Sequence, residues 1–226
     1  MRYFAGASLR GPLMAGHTEK IGAPTEGRPY KFRHLCAKYR VMNQELSQLI
    51  DQLDAVSTDA QSTFGQLTTQ QLNWKPSASE WSVAQCLEHL ITSNHGYIPI
   101  FNKINRGEYK RSLKERLPVL PGVFGSLVLN AVKPETKRKL KAGRDFQPAN
   151  SEIPADIVSR FETQQKQISE LMKSTRELNL RQVIITSPVL SIVTYSLFDA
   201  YRIIVAHDQR HVAQAKRVMA REGFPG

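Results

Sequence analysis

The chain has 226 residues, 41% of them hydrophobic and 23% charged; this is ordinary globular usage at a length one core can fill, and it excludes a solenoid, a low-complexity chain and a second full domain. Two cysteines, Cys36 and Cys86, fit no zinc or redox spacing, which excludes a disulfide framework and makes a reducing, cytoplasmic setting the expectation. The net charge of +11 is uneven: residues 1–41 carry eight Lys/Arg against two acids, and the remainder 23 against 18, so nucleic acid is the least favoured partner.

Residues 1–41 are rich in Gly, Pro and Arg and show no sustained apolar periodicity, so a disordered basic tail is expected, with Met42 as a candidate true start and a targeting segment as the alternative. Met1 to Arg10 lack the apolar stretch of a secretory signal. No run of about 18 apolar residues exists, and the stretch 117–132 is interrupted by Pro121, Gly122, Gly125, Ser126 and Asn130, so no membrane span is expected.

From Met42, Leu46, Leu49, Ile50, Leu53, Val56, Ala60 and Phe64 recur at threes and fours before Gly65, which predicts a first helix with a glycine stop. Thr68 with Gln71 resembles a small capping box, and residues 72–81, with Pro76, form a connection. Ser82 with Gln85 is a stronger box. It opens a second helix that carries Val83, Leu87, Leu90, Ile91, Tyr97, Ile98 and Phe101. Prolines 118, 121, 134 and 148 mark a long connection over 105–150, with one or two short helices around Gly125 to Lys141 and a functional role suggested by its length. Pro154 suits the first position of a third helix that ends near Leu178. After a connection over 181–192, a fourth helix runs from about Ser191 or Tyr195 to Arg221, stopped by Gly223 and Pro225. Four amphipathic helices without a convincing strand pair predict an all-α, four-helix bundle over 42–226, with sites between helices. The basic run Lys137, Arg138, Lys139, Lys141 and Arg144 lacks interleaved aromatics and reads as a solvated face.

His207 and His211 are four apart on the fourth helix, one turn apart on one face, where two imidazoles can share a metal. His211 falls inside the apolar arc with Ile204, Ala215 and Val218, and His207 at its edge. In such surroundings two imidazoles are not both protonated cheaply, whereas a cation satisfies both neutral lone pairs. The rival reading is a pair of core-edge histidines hydrogen-bonded to Asp208 or Gln214. His89, on the flank of the second helix's apolar stripe, supplies a third donor. Three histidines leave one coordination position of a divalent ion open, as in catalytic sites, and such an ion lowers the pKa of a water or a thiol held there. Asp208 is a carboxylate that can fix an imidazole tautomer or pair with an arginine of a neighbouring helix; Arg210 and Gln214 either contact the ligand or cap the site. His95 reads as surface, as do His17 and His34, while Trp74 and Trp81 read as packing anchors. Which of Tyr97, Phe101, Phe146 and Arg210 line a pocket depends on helix rotation, and imidazole ligands alone do not choose among zinc, nickel, copper and iron.

Leu72-Asn73-Trp74-Lys75-Pro76, Glu80-Trp81-Ser82-Val83 and Cys86-Leu87-Glu88-His89-Leu90, together with His207-Asp208-Gln209-Arg210-His211-Val212-Ala213-Gln214, resemble the DinB/YfiT-like family over about Met42 to Arg221. The resemblance implies a four-helix bundle of unusual handedness, a zinc or nickel ion on His89, His207 and His211, and a homodimer. It also implies a thiol S-transferase or isomerase that uses a low-molecular-weight thiol; from the open position on the ion itself, a hydrolase or a thiol S-transferase acting on a small molecule both follow. The stretch Asp145-Phe146-Gln147-Pro148 resembles the end of a pocket-lining connection. A non-catalytic module that binds a small molecule or metal is the alternative function.

Overall fold

The computed structural model of the chain describes residues 28–116, 120–133, 147–148 and 152–226. The chain divides into two compact units between residues 37 and 38, and the second of them, Lys38–Gly226, holds the core. Helix α1 spans Arg28–Phe64, so it starts well before Met42, where the apolar stripe begins. Helix propagation needs propensity rather than a stripe, and Ala37, Lys38 and Arg40 are good helix formers. Residues 1–27 of the expected disordered tail lie outside the described residues.

Both capping boxes form. Thr68 accepts from the Gln71 amide and Gln71 from the Thr68 amide at the start of α2 (Thr69–Asn73). Ser82 and Gln85 do the same for α3 (Val83–His95). The expected second helix is in fact two, because Gly96 and Tyr97 turn the chain before α4 (Ile98–Asn105). A Cβ at Gly96 would stand 2.8 Å from the Pro188 side chain, so a loop from the far end of the sequence occupies the break.

A short 3-10 turn over Lys114–Arg116 and helix α5 (Leu120–Val132) make up the described part of the long connection. The helix begins earlier than the expected Gly125. At Gly125 it presses against the start of the last helix, and a Cβ there would lie 2.9 Å from Asp199 Oδ2. Helix α6 is Ile157–Lys173, shorter at both ends than expected; Pro154 belongs to the preceding turn, its carbonyl accepting from the Ile157 amide. The segment expected to be a plain connection supplies an antiparallel pair, β1 (Ile184–Thr186) and β2 (Thr194–Ser196), with Ile185 opposite Tyr195. Three-residue strands are too short for alternation to register in a sequence. Helix α7 is Leu197–Met219, capped by Ser196 Oγ on the Asp199 amide at 3.0 Å, and Gly223 takes the positive φ of 84° that ends the chain's last turn. The described residues are thus mostly helical, with α3 packed on α6 and α7 and with α5 packed on α7 and β2.

The core is two apolar clusters. One gathers Leu46, Leu53, Phe101, Ile168, Tyr195, Tyr201 and Val205; the other Val56, Phe64, Leu87, Leu90, Phe161, Val212 and Val218. Helix α7 passes from the first cluster to the second between Val205 and Val212. The residues at the crossing are polar: His207, Asp208 and His211 on α7, His89, Ser93 and Asn94 on α3, and Gln164, Gln165 and Ser169 on α6. A polar layer therefore separates two hydrophobic halves, and burying it requires that its groups find partners.

Candidate metal centre

The Ser82 capping box sets where α3 starts and so which of its residues face α7. His89 comes to lie at 5% exposure, opposite the half-buried His207 and His211. Nε2 of His89 is 3.2 Å from Nε2 of His207, and one donor nitrogen from each of the three rings lies within 4.8 Å of the others. The ring centroids are 5.0, 4.7 and 4.6 Å apart. Trp81, the residue before the cap, stacks on His211 at 5.7 Å and 25° and approaches His89 to 4.9 Å.

The electrostatics keep His207 and His211 neutral. Burial, then His211, His89 and Arg210, hold His207 well below the usual imidazole range. Burial, then His89, Arg210 and Arg217, bring His211 down to about 3, with Gln214 opposing. Nδ1 of His211 is buried without a hydrogen-bond partner, so the reading of satisfied core histidines leaves an orphaned polar atom. A divalent ion on imidazole nitrogens at about 2.05 Å in a tetrahedral array needs donors about 3.3 Å apart, close to the observed 3.2 Å. Three imidazole nitrogens within 4.8 Å of one another, beside an orphaned ring nitrogen, suit such an ion and leave a position for an outside ligand.

Asp208 lies in the same layer but faces away from the trio. Both of its oxygens accept from Asn94 Nδ2, at 3.0 and 3.2 Å, and it is wholly buried. Burial, opposed by Asn94 and Gln165, pushes its carboxyl up to about 7. Its described hydrogen bonds thus go neither to an imidazole nor to an arginine, the two partners open at the level of sequence. Arg210 Nη1 donates to the Ala131 carbonyl of α5 at 2.7 Å, and Gln214 faces His211. Tyr97 and Phe101 belong to the other half of the core, where the Tyr97 hydroxyl meets that of Tyr195 at 2.6 Å. Burial pushes the Cys86 thiol up to about 12, which makes it a poor nucleophile. His95 is exposed. Trp74 packs edge-on against Phe224 at 5.5 Å. Phe146, the basic run from Lys137 to Arg144, His17 and the His34 side chain lie outside the described residues.

Two residues of the site were not singled out as such in the sequence. Trp81, read as a packing anchor, packs on two of the imidazoles; its place one residue before the helix cap was the available signal, since that position folds back on the first turns of its helix. Asn94, the partner of Asp208, sits in the centre of an apolar stripe, where a buried amide needs a polar neighbour.

The family model of the DinB superfamily matches residues 52–215, which span all three histidines. The chain is also similar to an uncharacterized protein of Bacillus subtilis (strain 168), YuaE, with 28% identity over 153 residues, 67% of this chain and 85% of that protein. No solved structure matches it. With the helical architecture, the clustered histidines of α3 and α7 and a match over most of its length, the chain belongs to the DinB superfamily, whose members bind metals.

Proposed function

We propose that the protein is a metal-dependent enzyme, a hydrolase or thiol S-transferase, built as a four-helix bundle with its ion on His89, His207 and His211. The observation that carries this reading is the trio itself: three imidazoles drawn together at the edge of a polar layer, with Nδ1 of His211 unpaired. A bound zinc or nickel ion would supply Lewis acidity, lowering the pKa of a water or of a low-molecular-weight thiol at its open position. The chain's own part is to hold the rings. The packing of α3 on α6 and α7 positions His89, and Trp81 covers one side of His89 and His211. With Cys86 inert, a thiol brought by the substrate needs no nucleophile from the protein. A cytoplasmic homodimer is part of the same proposal.

Elemental analysis of the untagged protein tests it. About one equivalent of metal per chain is expected in the parent, and close to none in His89→Ala and His211→Ala. Equal metal in parent and variants removes the site. Stoichiometric metal without turnover of any ester or thiol-dependent electrophile favours a binding module instead.

A further inference from the structure

The trio is reached from the side of α7 on which His207, Arg210, His211 and Gln214 are half-buried and Arg217 is exposed. At about 100° per residue, Arg210, Gln214 and Arg217 share with His207 an arc of about 80°. Long side chains on a helix lean toward its N-terminus, which carries Arg217 back over the turn of Gln214 and along the line of Arg210. It also faces α3: its charge acts on the Cys86 thiol as well as on His211, and Cys86 is one turn before His89. The Arg210 head is fixed by the Ala131 carbonyl. Arg217 has no ion pair or hydrogen bond among the described residues.

The charge at this opening is one-sided. Three neutral imidazoles cancel none of the charge of a divalent ion, and no carboxylate among the described residues joins them. Asp208, the one acid in the polar layer, is turned to Asn94. Two guanidiniums on the half-buried side of a helix that also carries a cation's ligands would make that side strongly positive, which favours an anion over water. We propose that Arg217, with Arg210 beside it, binds an oxyanion of the substrate, a carboxylate or a phosphate, next to the histidine trio and so selects anionic substrates. The proposal rests on the metal-centre reading. A guanidinium fork suits either oxyanion by paired hydrogen bonds, and the exposure of Arg217 leaves that fork free to close on one.

The test is direct titration of the full-length protein reconstituted with cobalt(II), following the visible absorption of the ion, with acetate in one series and inorganic phosphate in the other. Wild-type protein should bind at least one of the two, and the tighter identifies the oxyanion. Arg217→Ala should weaken that binding by about tenfold, as for the loss of one charge-assisted contact. Arg217→Lys, which keeps the charge without the fork, should recover part of it. Arg160→Ala, which removes a surface charge paired with Asp156, should change nothing. Cobalt content is measured in every sample. Stoichiometric cobalt with equal anion affinity in wild type and Arg217→Ala overturns the role of Arg217, as does failure of wild type to bind either anion or an equal loss in Arg160→Ala. A wild type that takes up no cobalt overturns the metal-centre reading and this proposal with it.

Discussion

Two carboxylates are buried among the described residues, and their surroundings treat them in opposite ways. Glu115, 2% exposed, ties the long connection to the strand pair. Its oxygens accept from the Tyr109 hydroxyl at 2.7 Å, the Thr186 hydroxyl at 2.6 Å and the Ser112 amide at 2.7 Å. Burial alone would raise its pKa, but Thr186, Tyr109 and Ser112 together outweigh it and leave the carboxyl below the usual range. Asp208 is fully buried, is held by the Asn94 amide and is pushed up to about 7. The first cluster is closed, every donor spent on holding a loop. The second layer is open: its acid is only partly stabilised, and Nδ1 of His211 has no hydrogen-bond partner. A polar group that is satisfied serves the fold, whereas one left short of partners points to a ligand.

The sharpest way to break this comparison is at Glu115. Replacing it with Ala strands three donors, so Glu115→Ala should cost about 3 kcal/mol of stability in urea unfolding while metal content stays at the parent value. Loss of metal in that variant would mean that the two clusters are not independent.

A smaller effect separates the two acids by pH. In the metal-free protein, the unfolded chain protonates His207 and His211 below their ordinary value of 6.5, while the folded chain holds His207 well below that value and protonates His211 only near 3. This lowers stability on acidification. Asp208 works the other way, because between 3.8 and about 7 the folded chain holds a proton that the unfolded chain lacks. While both histidines are neutral in the folded chain the balance is one more proton on the unfolded chain, so stability should fall by about 1.4 kcal/mol per pH unit on acidification below about 6.5. In Asp208→Asn the opposing contribution is gone and the slope should about double. Equal slopes in denaturant titrations of the two proteins would show that Asp208 does not carry that proton. The smallest expected change is at the helix cap: Ser82→Ala should cost about 1 kcal/mol in the same titrations, with the metal retained, because the interhelical contacts of α3 still hold His89 in place.

Much of the fold was legible because local chemistry dictates it. The Thr68 and Ser82 boxes, the stripe from Leu46 to Phe64 and the stop near Gly223 each depend on residues within a turn or two of one another. The break at Gly96 had a local signal in Pro99, which opens the next helix; the packing of Pro188 against it, from a residue remote in sequence, was not legible. The strand pair was too short to alternate visibly, and the part of α1 before Met42 carries no stripe. At the site, the spacing of His207 and His211 was readable on one helix. The choice of Asn94 as the partner of Asp208, and of Trp81 as the cover of the imidazoles, was not.

The sequence by itself determined the helices, their caps and the set of three histidines, because hydrophobic period and capping act over a few residues. Tertiary structure alone decided that His89, from a helix more than a hundred residues earlier, meets His207 at 3.2 Å, that Asp208 turns from them to Asn94, and that the polar layer falls between two apolar clusters. Those outcomes depend on how α3, α6 and α7 rotate against one another, and rotation is fixed by packing the whole core at once.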